Sequence, residues 1–223
     1  MFLTTRRGVL AGQRAIPEAL AEAERGAVDA EPLARRVDRA VVEAVAEVAG
    51  ADAILGTNTS SLSVGAIASA VPHPERVIGT HFFNPVHIMA LLEVIVADVT
   101  SNATLSAIQT LGQRIGKEVI VVRDVPGFAT SRLGVCLGME AIRMLEGGVA
   151  SAEDIDKAMV LGYRHPIGPL RLTDLVGLDV RMAIGSYLAE ELSNPAFLPP
   201  DLMKEMVRAG RLGKKTGSGF YDW

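Results

Sequence analysis

The pattern that most constrains this chain changes at Arg123. Up to that residue, short β-rich runs alternate with segments of helical period; beyond it no credible strand can be read. The runs lie at 51 to 58 (ADAILGTN), 77 to 83, 91 to 96 and 118 to 122 (EVIVV). Leu33, Val37, Val41, Val42, Val45 and Val48 recur at three and four, which predicts a helix over 31 to 48. Further helices are predicted over about 63 to 70 and over 102 to 115. Strands interleaved with helices require an α/β layer with at least some parallel strands. After Arg123, Pro126-Gly127 opens a helix with an apolar stripe of Leu133, Cys136, Leu137, Ala141, Met144 and Leu145, and Gly147-Gly148 ends it. Ser151 to Asp154 then resembles a capping box with Asp in place of the usual Glu, and a last helix is expected from about 200 to 209. The organisation expected is a segment 1–30 that reads as Ala/Glu/Arg-rich helix, an α/β domain over 31–123, and an all-helical domain over 124–223.

Composition narrows the class of function. With 223 residues, 49% of them hydrophobic and 22% charged, the chain is long enough for one large or two modest domains around a sizeable core. A net charge of -4, with basic tracts no longer than Arg6-Arg7, Arg35-Arg36 and Lys214-Lys215, argues against a nucleic-acid partner. The single cysteine, Cys136, cannot close an internal disulfide, and the chain reads as cytoplasmic. Arg6-Arg7 ahead of an apolar stretch invites an export reading, but Gln13 and Arg14 cut that stretch after roughly five residues, short of a signal h-region. No apolar run approaches the ~18 residues needed to span a bilayer, so no membrane partner is expected. No spacing of His, Cys and carboxylates suggests a metal site, and no G-x-S-x-G or cysteine-nucleophile context is present.

The polar residues set within apolar runs are the candidates for chemistry. His81 lies near the end of a predicted strand, where open α/β sheets present their ligands, and histidine is the natural acceptor for the proton of a hydroxyl being oxidised. Alone it reads as readily as a satisfied core residue. Glu93, twelve positions on and past a turn at Asn84-Pro85, could return beside the imidazole, set its tautomer and stabilise the imidazolium; the plain alternative is an edge-strand charge facing water. Asn58, Thr59, Ser60 and Ser61 could bond a bound carbonyl or hydroxyl, or cap the following helix, and spacing does not choose. The segment GRLGKKTGSGFYDW, 210 to 223, sets glycines and lysines around a threonine, a composition suited to phosphate or to a solvated tail; Phe220, Tyr221 and Trp223 argue against the tail. His73 and His165 flank prolines and read as turn residues, and His87 carries little weight.

Five motifs in order then give a resemblance. TNTSSLSV at 57 to 64, GTHFFNPVHIMALLEVI at 79 to 95, DVPGFATSRL at 124 to 133, HPIGPLRLTDLVGLDV at 165 to 180 and GKKTGSGFYDW at 213 to 223 are similar to those of the 3-hydroxyacyl-CoA dehydrogenase family, over roughly residues 41 to 223. The resemblance implies a partial Rossmann-type domain followed by the family's helical C-terminal domain. It implies NAD as cofactor and an acyl-CoA whose 3-hydroxyl is oxidised to a 3-oxo group, in fatty-acid or butanoate-type metabolism. On that basis His81 is the general base, Glu93 its orienting partner, Ser60 and Asn84 touch substrate and nicotinamide, and Lys215 contacts the cofactor. The helical domain is expected to form a homodimer and part of the acyl cleft.

Two departures from the family pattern follow. Ser131, in TSRL, stands where many relatives carry Asn, and offers the substrate carbonyl one donor instead of two. The family's opening strand and G-x-G-x-x-G turn, which seats a pyrophosphate on a helix N-terminus, has no counterpart in the 223 residues; RRGVLAG has two glycines at the wrong spacing. The chain is therefore expected to be an N-terminally truncated family member that binds NAD poorly. Two further readings stand beside that one: a non-catalytic acyl-CoA-binding or dimerisation module, and a dehydrogenase of a larger thioester such as 3-hydroxyadipyl-CoA.

Overall fold

A computed structural model describes residues 2–4, 33–50 and 52–223. The segment 5–32, with Arg6-Arg7 and most of the stretch read as helix, lies outside the described residues. The chain divides into two compact units, Met1–Phe128 and Ala129–Trp223.

In the first unit, β1 (Phe2–Thr4), β2 (Ile54–Thr57), β3 (Val77–Phe82), β4 (Leu91–Val96) and β5 (Glu118–Arg123) form one sheet in that order. The pairs β2/β3 and β4/β5 are parallel, and β1/β2 and β3/β4 antiparallel. Each parallel pair is joined through a helix, as a parallel connection requires: α2 (Val64–Ala68) between β2 and β3, and α3 (Asn102–Arg114) between β4 and β5. The turn 83–90 suffices for the antiparallel return. Residues 2–4 are extended where helix was expected, because the free edge of β2 offers ladder partners to Phe2, Leu3 and Thr4.

The strands sort their side chains by the period of two. Val77 and Ile95 pack with Val64, Ile67 and Ala68 of α2 and with Val42 and Val45 of α1 (Leu33–Val48), while Ile78, Leu92 and Val94 pack with Ile108 of α3 on the opposite face. Val48, the last member of the predicted stripe, is exposed. Gly79 lets Ile95 of β4 and Val64 of α2 lie close: a Cβ there would meet the Ile95 Cβ at 2.6 Å and Val64 Cγ2 at 3.0 Å. The cap of α2 is Ser63, whose Oγ accepts from Ala66 N at 3.2 Å, so the 58–61 stretch is not the cap. Asp124, just past β5, also holds this helix start, accepting from Val64 N, Gly65 N and Ser63 Oγ at 3.0, 2.8 and 2.9 Å.

The second unit is helical: α4 (Thr130–Glu146), α5 (Ala152–Lys157) running into a π turn at Ala158–Gly162, α6 (Pro169–Val176), α7 (Leu178–Glu191) and α8 (Asp201–Arg208). Helix α4 begins at Thr130 rather than Pro126, because Gly127 and Phe128 have φ of 76° and 51°, outside the right-handed helical region. Ser151 caps α5 through Asp154 N, and its hydroxyl donates to the Asp154 carboxylate at 2.8 Å. Met139, Ile142, Leu170, Leu178, Leu188 and Met203 form the core. The C-terminal segment is held by buried Asp174, which accepts from Phe220 N, Tyr221 N and Trp223 Nε1 at 2.9, 3.0 and 2.9 Å. Among the described residues of this unit, β pairing is confined to isolated bridges at Gly213–Ser218 and Ser218–Asp222.

Candidate active site

The site starts from the register of two strands. His81 and Glu93 are direct cross-strand partners in the antiparallel β3/β4 ladder, so both side chains leave the sheet on one face. His81 Nδ1 and Glu93 Oε2 are 2.8 Å apart. His81 is 7% exposed and Glu93 0%, so the carboxylate is neither at an edge nor in water. A fully buried carboxylate is costly unless its partners satisfy it, and here the imidazole is one of them. With Nδ1 donating to Glu93, the tautomer assigned by the network leaves the Nε2 lone pair as the acceptor.

Aromatic rings hold the imidazole in place. Phe83 lies with its centroid 4.5 Å from that of His81, and Phe128 at 6.2 Å. Phe128 owes its position to the left-handed pair Gly127 and Phe128, a conformation rare for a bulky residue and characteristic of functional turns. Neither phenylalanine was singled out in the sequence; their nearness in GTHFFNP and DVPGF to polar motif residues was the available signal.

At the carboxyl ends of β2 and β3 the loops converge. Asn58 Oδ1 accepts from Phe82 N at 2.8 Å and ties the exit of one strand to the end of its neighbour. Thr59 Oγ1 accepts from Leu62 N at 3.0 Å and shapes the turn that carries half-buried Ser60. Asn84 is exposed in the turn after His81, at a cis Asn84–Pro85 bond. Lys117 holds the far side of that turn through the carbonyls of Val86 and Met89. His81, Glu93, Ser60 and Asn84 thus belong to the first unit. Ser131, half-buried in the first turn of α4, and Lys215 belong to the second. Lys215 Nζ is paired with the Asp179 carboxylate at 2.6 and 2.7 Å, and this hydrogen bond holds the Asp179 pKa below its ordinary value. Among the described residues no group of His, Cys, Asp and Glu could hold a metal ion, and no helix is long and apolar enough to cross a membrane.

The family model described as 3-hydroxyacyl-CoA dehydrogenase, NAD binding domain, matches residues 27–125, reaching further toward the N-terminus than the motifs do, and the C-terminal domain model matches 127–223. A 3-hydroxybutyryl-CoA dehydrogenase of Mycobacterium tuberculosis is 42% identical over 224 residues, covering 100% of this chain and 75% of that protein. The crystal structure of M. tuberculosis FadB2 superposes with a TM-score of 0.82 at 42% identity, over 85% of this chain and 67% of that one. That of (S)-3-hydroxybutyryl-CoA dehydrogenase PaaH1 from Ralstonia eutropha gives 0.79 at 42% identity, over 82% and 65%. Both family models, matched end to end across most of its length, show that the chain belongs to the 3-hydroxyacyl-CoA dehydrogenase family of NAD-dependent oxidoreductases.

Proposed function

We propose that the chain oxidises the 3-hydroxyl of a 3-hydroxyacyl-CoA of fatty-acid or butanoate-type metabolism in the cytoplasm, with His81 as general base. The observation that carries this reading is the 2.8 Å bond between a buried imidazole and a fully buried carboxylate at the ligand-presenting end of the sheet. His81 Nε2 takes the hydroxyl proton while the C–H bond on the same carbon breaks and the C=O bond forms. Glu93 holds the ring orientation and offsets the positive charge that develops on it. Bound NAD supplies the hydride acceptor, and the polar side chains of Ser60 and Asn84 suit the nicotinamide and reacting end. No G-x-G-x-x-G turn accompanies them in the 223 residues, so the pyrophosphate end finds no matching cradle in this sequence. Ser131 donates to the substrate carbonyl and Lys215 serves the cofactor side on this reading.

The second unit supplies the contacts of a homodimer. Leu161 in the π turn and Tyr163 just past it, 77% and 76% exposed, offer apolar surface for it; a monomeric mass in sedimentation equilibrium would remove this part of the proposal. The catalytic assignment is tested by acetoacetyl-CoA reduction with NADH. His81→Gln is expected to abolish turnover, and Glu93→Gln to lower kcat by about 10²- to 10⁴-fold with KM little changed. Unchanged turnover in His81→Gln would refute the assignment of the base. Acyl-CoA binding without any turnover in the unsubstituted chain would favour the non-catalytic module.

A further inference from the structure

The second unit contains a cation that its own packing leaves unexplained. Arg181, in α7, is 5% exposed. Its Nη1 donates to the Gly134 carbonyl at 2.7 Å, while its Nε is buried with no hydrogen-bond partner. Burial is the influence on its titration, pulling it down to about 10 with no carboxylate to hold it up, so the group stays charged at neutral pH. A buried cation without a counter-charge is one of the most costly things a core can contain, and a Met or Leu would pack there without that cost.

Helix α4 is shaped to seat this side chain. A Cβ at Gly138 would lie 2.0 Å from Arg181 Nη1 and 3.1 Å from its Cζ, so any side chain there would displace the guanidinium from its present seat. A glycine inside a helix weakens it, and α4 carries a second at Gly134, where the space a Cβ would enter has no atom within 4 Å. Gly134 and Gly138 lie three and seven positions past Ser131 and share one side of α4 with it. The guanidinium therefore sits about 5 to 10 Å along the helix axis from Ser131.

We propose that Arg181 is a specificity-determining residue that receives the terminal carboxylate of an ω-carboxylated 3-hydroxyacyl thioester. The proposal rests on the reading of Ser131 as a contact to the reacting end of the acyl chain. A carboxylate three carbon–carbon bonds past the reacting carbon spans about 4 to 5 Å, which together with one hydrogen bond bridges the distance from Ser131 to the guanidinium. The planar donor fork of arginine matches a carboxylate in two-pronged fashion, and supplies the counter-charge that the second unit lacks at this point.

Adipyl-CoA, hexanoyl-CoA and butyryl-CoA lack the 3-hydroxyl, do not react, and can be titrated calorimetrically into the 223-residue chain without cofactor. Adipyl-CoA is expected to bind at least about tenfold tighter than hexanoyl-CoA of the same length. Arg181→Met should remove that preference and Arg181→Lys should keep part of it. Equal or tighter binding of hexanoyl-CoA by the unsubstituted chain overturns the proposal and leaves the acyl-CoA reading standing. A preference that survives in Arg181→Met also overturns it, since the carboxylate would then be held elsewhere. Failure of all three thioesters to bind overturns both. The comparison within the unsubstituted chain decides the matter even if Arg181→Met does not fold.

Discussion

A carboxylate with no exposed surface must be held by its neighbours, and Glu93 meets the imidazole of His81 directly across the ladder. Either residue in the sequence alone had a plain structural reading; it is their pairing that supports the proposed catalytic one. Tyr221 raises a related question of charge. Its hydroxyl donates to Asp156 Oδ2 at 2.8 Å and reaches the Ala152 carbonyl at 3.1 Å, and burial, with the hydrogen bond to Asp156, pushes its pKa well above the ordinary phenol value. Because the folded phenol holds its proton more tightly than the unfolded one, this contribution is intact below pH ~10 and is lost as the pH rises beyond it. Tyr221→Phe is expected to lower stability by about 1 kcal/mol at pH 8 through the lost hydrogen bonds, and to reduce the further loss between pH 8 and 11. Urea midpoints at the two pH values measure both; a loss that stays as steep in the variant would contradict the assignment.

Among the elements, those with strong periodicity were the most legible. Helices α1 and α3 and strands β2 to β5 fall within a few residues of their predicted spans, because the helices pack one face on the sheet and so carry the 3.6 period, while β2, β3 and β4 are buried on both faces and read as short apolar runs. The ends were less legible. The cap of α2 comes from Ser63 with Asp124, some sixty positions away, and no local signal announces such a partner. The C-terminal segment has the same character: its aromatic residues spoke for order, but the anchor is Asp174, one turn before Gly177 in α6. Asp174→Asn keeps the volume, removes the charge and leaves one carboxamide nitrogen facing donors. It is expected to cost about 2 to 3 kcal/mol. Trp223 is the single tryptophan, so its fluorescence reports on the anchored segment alone; a red-shifted emission below the global midpoint is expected, and an unshifted spectrum would count against Asp174 as the anchor.

At the scale of the whole molecule the question is how much of a dinucleotide these residues can hold. On the proposed function the polar loops at the ends of β2 and β3 take the nicotinamide end, and the G-x-G-x-x-G turn that seats a pyrophosphate has no match in the sequence. The 223-residue chain is expected to bind NADH at least about tenfold more weakly than a relative containing that turn; equally tight binding in a fluorescence titration would refute this. The sequence by itself determined the class of each half, α/β before Arg123 and helical after it, since the periods of two and 3.6 come from which faces are buried. It determined the candidate base and its carboxylate as residue types at a spacing. Only the tertiary structure decided that His81 and Glu93 oppose each other in register, that Phe83 and Phe128 flank the imidazole, and that Arg181 lies uncompensated over Gly138. The reason is physical: burial periodicity is local and leaves a trace in neighbouring letters, whereas a hydrogen bond or a missing counter-charge is a relation between segments far apart in the chain.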